Sequence, residues 1–263
     1  MIRWCSYCQS YMGESAPLED YSLTHAICQT CLDQGHADDE THVAVMQAVG
    51  GYYQRLREAV DTGMPLQASA IVREGLDLGL KESDLAWGVL QPLLRRAGVR
   101  WASGNLSVAR EHLFSSTAMN MIDLLFSDMP ALRERRQSQH PDILLVMAED
   151  NFHSLGLRMA ELGFCLKGYT TFTVMPGLPA KEVAALSESL QPRVLGISVA
   201  LAPQMRSVRE TRGMIAKLPA ARRPKLVVGG SAVRQGLAVP EAWDIEVVED
   251  FDLAITGRSG TSM

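Results

Sequence analysis

Asp142-Ile143-Leu144-Leu145-Val146-Met147-Ala148 runs directly into Glu149-Asp150-Asn151-Phe152-His153-Ser154-Leu155-Gly156. The first stretch is an apolar run of strand length, far short of the roughly 18 residues of a membrane span. The second is a polar loop holding a histidine, with a glycine three residues later that opens a helix. Downstream, strand candidates recur at 169–175, 194–199, 226–228 and 245–248, with helical stretches at about 154–164, 179–190, 203–218 and 231–238 between them. Strands alternating with helices predict a doubly wound parallel sheet. Val194-Leu195-Gly196-Ile197 is apolar at both alternations, as a strand buried on two faces should be. Ligands in such folds sit beyond the carboxyl ends of the strands. The loops there are 149–156, Ser198-Val199-Ala200-Leu201 and Gly229-Gly230-Ser231. The first contains no G-x-G-x-x-G and no phosphate loop of the GK[ST] type, which weighs against a nicotinamide, flavin or nucleoside triphosphate site.

Upstream, Pro130 to Pro141 is polar and charged, with Arg133, Arg135 and Arg136 close together, and reads as a linker whose arginines face solvent. From 41 to 129 the pattern is helical. Val43, Met46, Val49, Tyr53, Leu56 and Val60 recur at helical steps, and Gly63-Met64-Pro65 ends that helix. Further helices are expected over about 66–80, 83–102 (with a kink at Pro92) and 107–129. Four helices of roughly 15–22 residues with short connections describe a bundle.

At the N-terminus, Cys5-Ser6-Tyr7-Cys8 and Cys28-Gln29-Thr30-Cys31 stand 19 residues apart. Doubled C-x2-C pairs at that spacing suit a closed, structural zinc site, because each pair on a tight turn turns two thiolates to one ion. A redox pair is the alternative, and His25 or His36 could replace one thiolate. The expected organisation is a zinc module over 1–38, a four-helix cap over 41–129, a linker over 130–141 and an α/β domain over 142–257. Cys165 stands alone in an apolar stretch and is expected to be buried.

The 263 residues are 47% hydrophobic and 21% charged, with a formal net charge of −5. That composition excludes a disordered chain and argues against nucleic-acid binding by bulk charge. The first residues lack the apolar stretch of a secretory signal, so a cytoplasmic location is expected.

Asn151-Phe152-His153-Ser154-Leu155-Gly156, followed by Ser198 to Leu201 and Gly229-Gly230, resembles the D-x-H-x-x-G, S-x-L and G-G signature of cobalamin-binding domains. The resemblance implies that His153 is the lower cobalt ligand and that Gly156, Ser198, Leu201, Gly229 and Gly230 line the channel for the nucleotide tail. Where that signature has aspartate, this chain has Asn151, which brings no charge to the imidazole and should make it a weaker donor.

In the helical region, Trp101 is followed after nine residues by Glu111-His112. The stretch from Gly98 to His112, Val108 included, resembles the helical cap of CarH/LitR-type cobalamin photoreceptors. The resemblance implies adenosylcobalamin, with Trp101 near the adenosyl group and Val108, Glu111 and His112 on the next helix nearby. There are two departures. The zinc module replaces the DNA-binding domain, and its acidic surroundings (Glu14, Glu19, Asp20, Asp33) point to a protein partner or homo-oligomer more than to DNA. The position after Trp101 is Ala102, where those photoreceptors carry a second histidine. The implied function is a light-dependent regulator and not an enzyme. A corrinoid carrier of a methyltransferase system, or an interaction module that has lost its cofactor, are the other readings of the same residues.

Overall fold

The computed structural model describes residues 1–17, 19–36 and 42–248. The ends of two expected segments, 37–38 and 249–257, lie outside the described residues. The chain divides into two compact units, Met1–Asp128 and the part from Met129 onward.

The first unit begins with a three-stranded sheet: β1 (Ile2–Cys5), β2 (Tyr11–Glu14) and β3 (Leu23–Ala26), in the order β2-β1-β3. A short helix, α1 (Gln29–Asp33), follows. Then come α2 (His42–Thr62) and α3 (Ala68–Asp77). Next a single turn, α4 (Glu82–Asp84), passes into a π-helical segment, Leu85–Leu90, and on into α5 (Gln91–Ala102). The unit closes with α6 (Val108–Asp128). Val49, Tyr53, Leu56 and Val60 of α2 are buried with Ile71 and Val72 of α3, Leu93 and Ala97 of α5, and Met121, Ile122 and Leu125 of α6. The 3.6-residue apolar period therefore points inward on four helices. Val43, counted in the same period, is exposed.

The expected single helix over 83–102 is three pieces. An α-helix would bring the Pro92 ring against the carbonyl four residues back, at Gly88. The wider π-segment just upstream of α5 relieves that clash, so the irregularity precedes the proline.

The second unit starts with α7 (Pro130–Arg135), which corrects the expectation of a linker. Leu132 is buried, Arg135 donates to the Cys165 carbonyl at 2.9 Å and Arg136 to Glu161 at 3.3 Å. Two of the three arginines therefore hold a helix down instead of facing water. After α7 come β4 (Ile143–Met147), α8 (Ser154–Leu166), β5 (Thr171–Val174), α9 (Ala180–Leu190), β6 (Val194–Ser198), α10 (Met205–Ile215), β7 (Lys225–Gly229), α11 (Ser231–Arg234) and β8 (Glu246–Val248). The sheet is parallel throughout, in the order β5-β4-β6-β7-β8. The order reverses between β4 and β6, and their carboxyl ends are the switch point where such folds bind ligands.

Leu144, Val146, Leu195 and Ile197 pack on α9, α10 and α11, and Ile143, Leu145 and Met147 pack on α8. Inside α8, Arg158 pairs with Glu161, and both side chains are buried. Cys165 is fully buried, as expected. Among the described residues no helix is long and apolar enough to cross a membrane.

Candidate functional site

At the switch point the chain leaves β4 through a tight loop. Asp150 sits at φ 61°, and the Asn151 N–H turns back to the Ala148 carbonyl at 3.0 Å. Asn151 is completely buried and organises the loop. Its Nδ2 donates to the Ser198 carbonyl at the end of β6 at 2.9 Å. Its Oδ1 accepts the His153 backbone N–H at 3.0 Å and lies 3.3 Å from His153 Nδ1. The amide donor is committed to Ser198, so the atom facing the imidazole is an acceptor. An acceptor at Nδ1 places the ring proton there and leaves the Nε2 lone pair outward. His153 is the N-cap residue of α8 and is exposed. An exposed, tautomer-fixed imidazole at the mouth of a parallel sheet is chemically suited to ligate a metal from outside.

Between the sheet and α8 lies a narrow apolar cleft. Its lining includes Leu145, Leu157, Gly196, Ser198, Gly229 and Gly230. Three of these residues are glycines at close approaches. A Cβ on Gly196 would stand 2.9 Å from Leu145 Cδ2, and one on Gly229 would stand 3.0 Å from the Val248 carbonyl oxygen. Gly230 has φ +117°, and a Cβ there would lie 2.3 Å from the Val199 carbonyl oxygen. Only glycine fits that backbone.

Ser198, Gly229 and Gly230 thus line one cleft. Gly156 and Leu201 do not join them. Gly156 is exposed, with open space where its Cβ would be. Leu201 lines a broader depression of about 800 Å³ with Glu149, Asp150 and Gln204. The reason is the local backbone. Gln204 Oε1 accepts the N–H groups of Ala200 and Leu201 at 2.8 and 3.1 Å, and its Nε2 donates to the Asp150 carbonyl at 3.0 Å. This fixes the loop after β6 with Leu201 turned to solvent, 55% exposed.

Three contributors were missed in the sequence. Gly196 had a signal, since glycine inside a strand marks a close approach. Gly177 follows Pro176, and its N–H donates to the Asn151 carbonyl at 3.1 Å. A Cβ there would sit 2.0 Å from the Ala148 carbonyl oxygen. Gln204 gave no signal, because its role depends on two loops far apart in sequence.

The helical unit carries the second group of expected residues. Trp101 lies in the last turn of α5 and is 50% exposed, so the indole is not a core residue. Val108 begins α6 and is also exposed. Glu111 Oε1 accepts the Ser115 hydroxyl at 2.5 Å, and its Oε2 lies 2.6 Å from Nδ1 of the exposed His112. The unburied indole offers a stacking face, and the held Glu111 carboxylate offers a hydrogen-bond acceptor.

The sulfurs of Cys5, Cys8, Cys28 and Cys31 all lie within 4.8 Å of one another, and all four are free thiols. Cys8 and Cys28 are 3.7 Å apart. Four sulfurs at about 2.3 Å from one ion in a tetrahedron stand about 3.8 Å from each other, so the donor set fits zinc. Burial raises the Cys5 pKa, but the N–H groups of Cys8, Cys28 and Tyr7 outweigh it and pull the thiol down to about 6. Burial and the three neighbouring sulfurs push Cys31 up to about 12. His25 and His36 are not in the cluster.

Residues 52–125 match the family model of a B12 binding domain. That segment is the helical part of the first unit. Over 169 residues the chain is 31% identical to the HTH-type transcriptional repressor CarH of Myxococcus xanthus, covering 62% of this chain and 54% of that protein. The chain thus spans about half the length of that curated relative. The monomethylamine corrinoid protein of Methanosarcina barkeri superposes with a TM-score of 0.58 at 14% identity, over 77% of this chain and 94% of that one. That likeness shows the fold alone: helices followed by a five-stranded parallel sheet.

Proposed function

We propose that the protein is a cobalamin-dependent light sensor and signalling regulator, and not an enzyme. The observation that carries this reading is the half-exposed Trp101 in the last turn of α5, together with the Glu111–His112 pair in the first turns of α6, in a segment that matches a B12 binding domain. The sequence relation to a transcriptional repressor supports a regulatory output. The residues fit the cofactor. The apolar cleft behind Ser198, Gly229 and Gly230 suits an aromatic nucleotide tail, and His153 presents a free Nε2 as lower ligand. When bound, adenosylcobalamin would supply a light-labile cobalt–carbon bond. Trp101 would stack on the adenosyl group and exclude water, with Val108 beside it, and Glu111 would accept from its hydroxyls or amine. Because Ala102 offers no donor, His112 or water would take the upper position once that ligand leaves.

Loss of the upper ligand would bias the helical unit between two states and alter its contact with a protein partner or with further copies of the chain. Zinc on Cys5, Cys8, Cys28 and Cys31 would hold the N-terminal sheet. With a net charge of −5, DNA contact is less suited to this chain than a protein partner, and a cytoplasmic setting agrees with free thiols.

The test is an absorption spectrum of the chain reconstituted in the dark with adenosylcobalamin, repeated after green light alongside its sedimentation. A retained spectrum that changes with light, together with a change in assembly, is expected. A bound corrinoid indifferent to light would make the protein a corrinoid carrier of a methyltransferase system, which the fold also suits. No retained corrinoid would leave an interaction module.

A further inference from the structure

Trp4 adjoins Cys5 in the chain and is fully buried. Its seat includes the π-segment: a Cβ on Gly88 would lie 2.5 Å from Trp4 Cζ2 and 3.0 Å from Tyr11 Cβ. Polar contacts close the same interface. Asp84, buried at the start of the π-segment, accepts the Tyr11 N–H at 2.9 Å. Arg95 of α5 pairs with Glu14 of β2. The Arg96 guanidinium lies 5.2 Å from the centre of the Tyr21 ring and also grips Asp61 of α2 through two hydrogen bonds at 2.5 and 2.6 Å. The cysteine-bearing sheet is therefore sutured to the π-segment and α5, and through Arg96 to α2, and α5 carries Trp101 in its last turn.

We propose that zinc on the four cysteines clamps the whole helical unit, so that its occupancy sets the order of the π-segment and α5. This rests on the zinc assignment above. Three strands of four residues cannot hold themselves together without a metal or a neighbour. With the metal present, Cys5 is fixed and Trp4 fills the hollow over Gly88. With the metal gone, Cys5 loses its anchor, and a displaced Trp4 leaves the hollow over Gly88 empty. A ligand that binds only the folded unit stabilises everything that unfolds with it.

The experiment uses the full chain without cobalamin, measuring zinc content and amide hydrogen exchange before and after chelation under a thiol reductant. One zinc per chain is expected. Its removal should speed exchange in 85–97 and in 49–60 by roughly 100-fold where free zinc had stood about 100-fold above its dissociation constant. Amides of 144–146 and 195–197, in the other unit, should not change. Gly88→Ala leaves every thiol in place. It should retain zinc yet exchange faster over 85–97 even when loaded. Faster exchange confined to 1–36 on chelation, or an unaltered Gly88→Ala profile, would overturn the clamp. A chain that takes up no zinc would overturn the metal assignment itself, read from metal content and not from exchange.

Discussion

The Asn151 side-chain amide donates to the Ser198 carbonyl at 2.9 Å, and this single bond decides which of its atoms faces His153. With Nδ2 engaged, Oδ1 is left 3.3 Å from His153 Nδ1. The asparagine therefore reproduces the direction of an aspartate without its charge. Asn151→Asp should strengthen cobalt ligation by His153, because a charged acceptor makes the imidazole a better donor. Asn151→Ala should weaken it, by about 10- to 100-fold in cobalamin affinity, the range seen for such supporting groups. Titrating bound cobalamin by absorption in the three proteins checks the order, and equal affinities would remove Asn151 from the site.

His153→Ala should abolish lower-face ligation. His153 is exposed, so the change in folding stability should stay within about 0.5 kcal/mol. The readouts are the spectrum of the reconstituted protein and its urea midpoint. A spectrum identical to the parent would show that another group ligates.

Trp101→Ala separates a cofactor contact from a core residue. A buried tryptophan lost to alanine costs about 3–5 kcal/mol. Trp101 is 50% exposed, and its removal should cost far less while impairing adenosylcobalamin binding or photolysis. Large destabilisation with normal photochemistry would reverse the assignment.

Gly230→Ala places a Cβ 2.3 Å from the Val199 carbonyl oxygen at a φ of +117°. Strain of this kind costs about 1–3 kcal/mol. The α/β unit should unfold at lower urea, followed by far-ultraviolet circular dichroism, and a midpoint equal to the parent's would mean that the backbone relaxes freely there.

Cys165 is a thiol that should stay silent. Burial pushes its pKa up to about 11, against the opposing pull of its hydrogen bond with Thr171. Iodoacetamide at neutral pH should label it only after unfolding. The folded-state pKa is the higher one, so in alkali the unfolded chain loses this proton first. The Cys165 contribution to stability is thus complete below about pH 9. It falls as pH rises towards 11. Cys165→Ala should flatten that part of the stability curve.

Much of this was legible in the sequence. The apolar run 143–147, the alternation after it and the 3.6-residue period of α2 and α6 are local patterns, and they predicted the parallel sheet and the helices because burial imposes those periods directly. The doubled C-x2-C pairs predicted the cysteine cluster for a similar reason, since short turns bring paired sulfurs together. Gly229-Gly230 and Ser198 were singled out by a motif, and the structure places them along one cleft. What the sequence could not show depends on contacts between distant residues. Arg135 and Arg136 read as solvated until α8 supplies the Cys165 carbonyl and Glu161. Leu201 reads as part of the cleft until Gln204 turns its loop outward. The Pro92 irregularity lies upstream, in the π-segment, because the ring would meet the Gly88 carbonyl of a regular α-helix. Asn151 reads as a loss of charge, and only the Ser198 carbonyl, 47 residues away, makes it an aimed acceptor. Periodicity and spacing are written in the chain, whereas the direction of a side chain is settled by whichever distant partner competes for its hydrogen bonds.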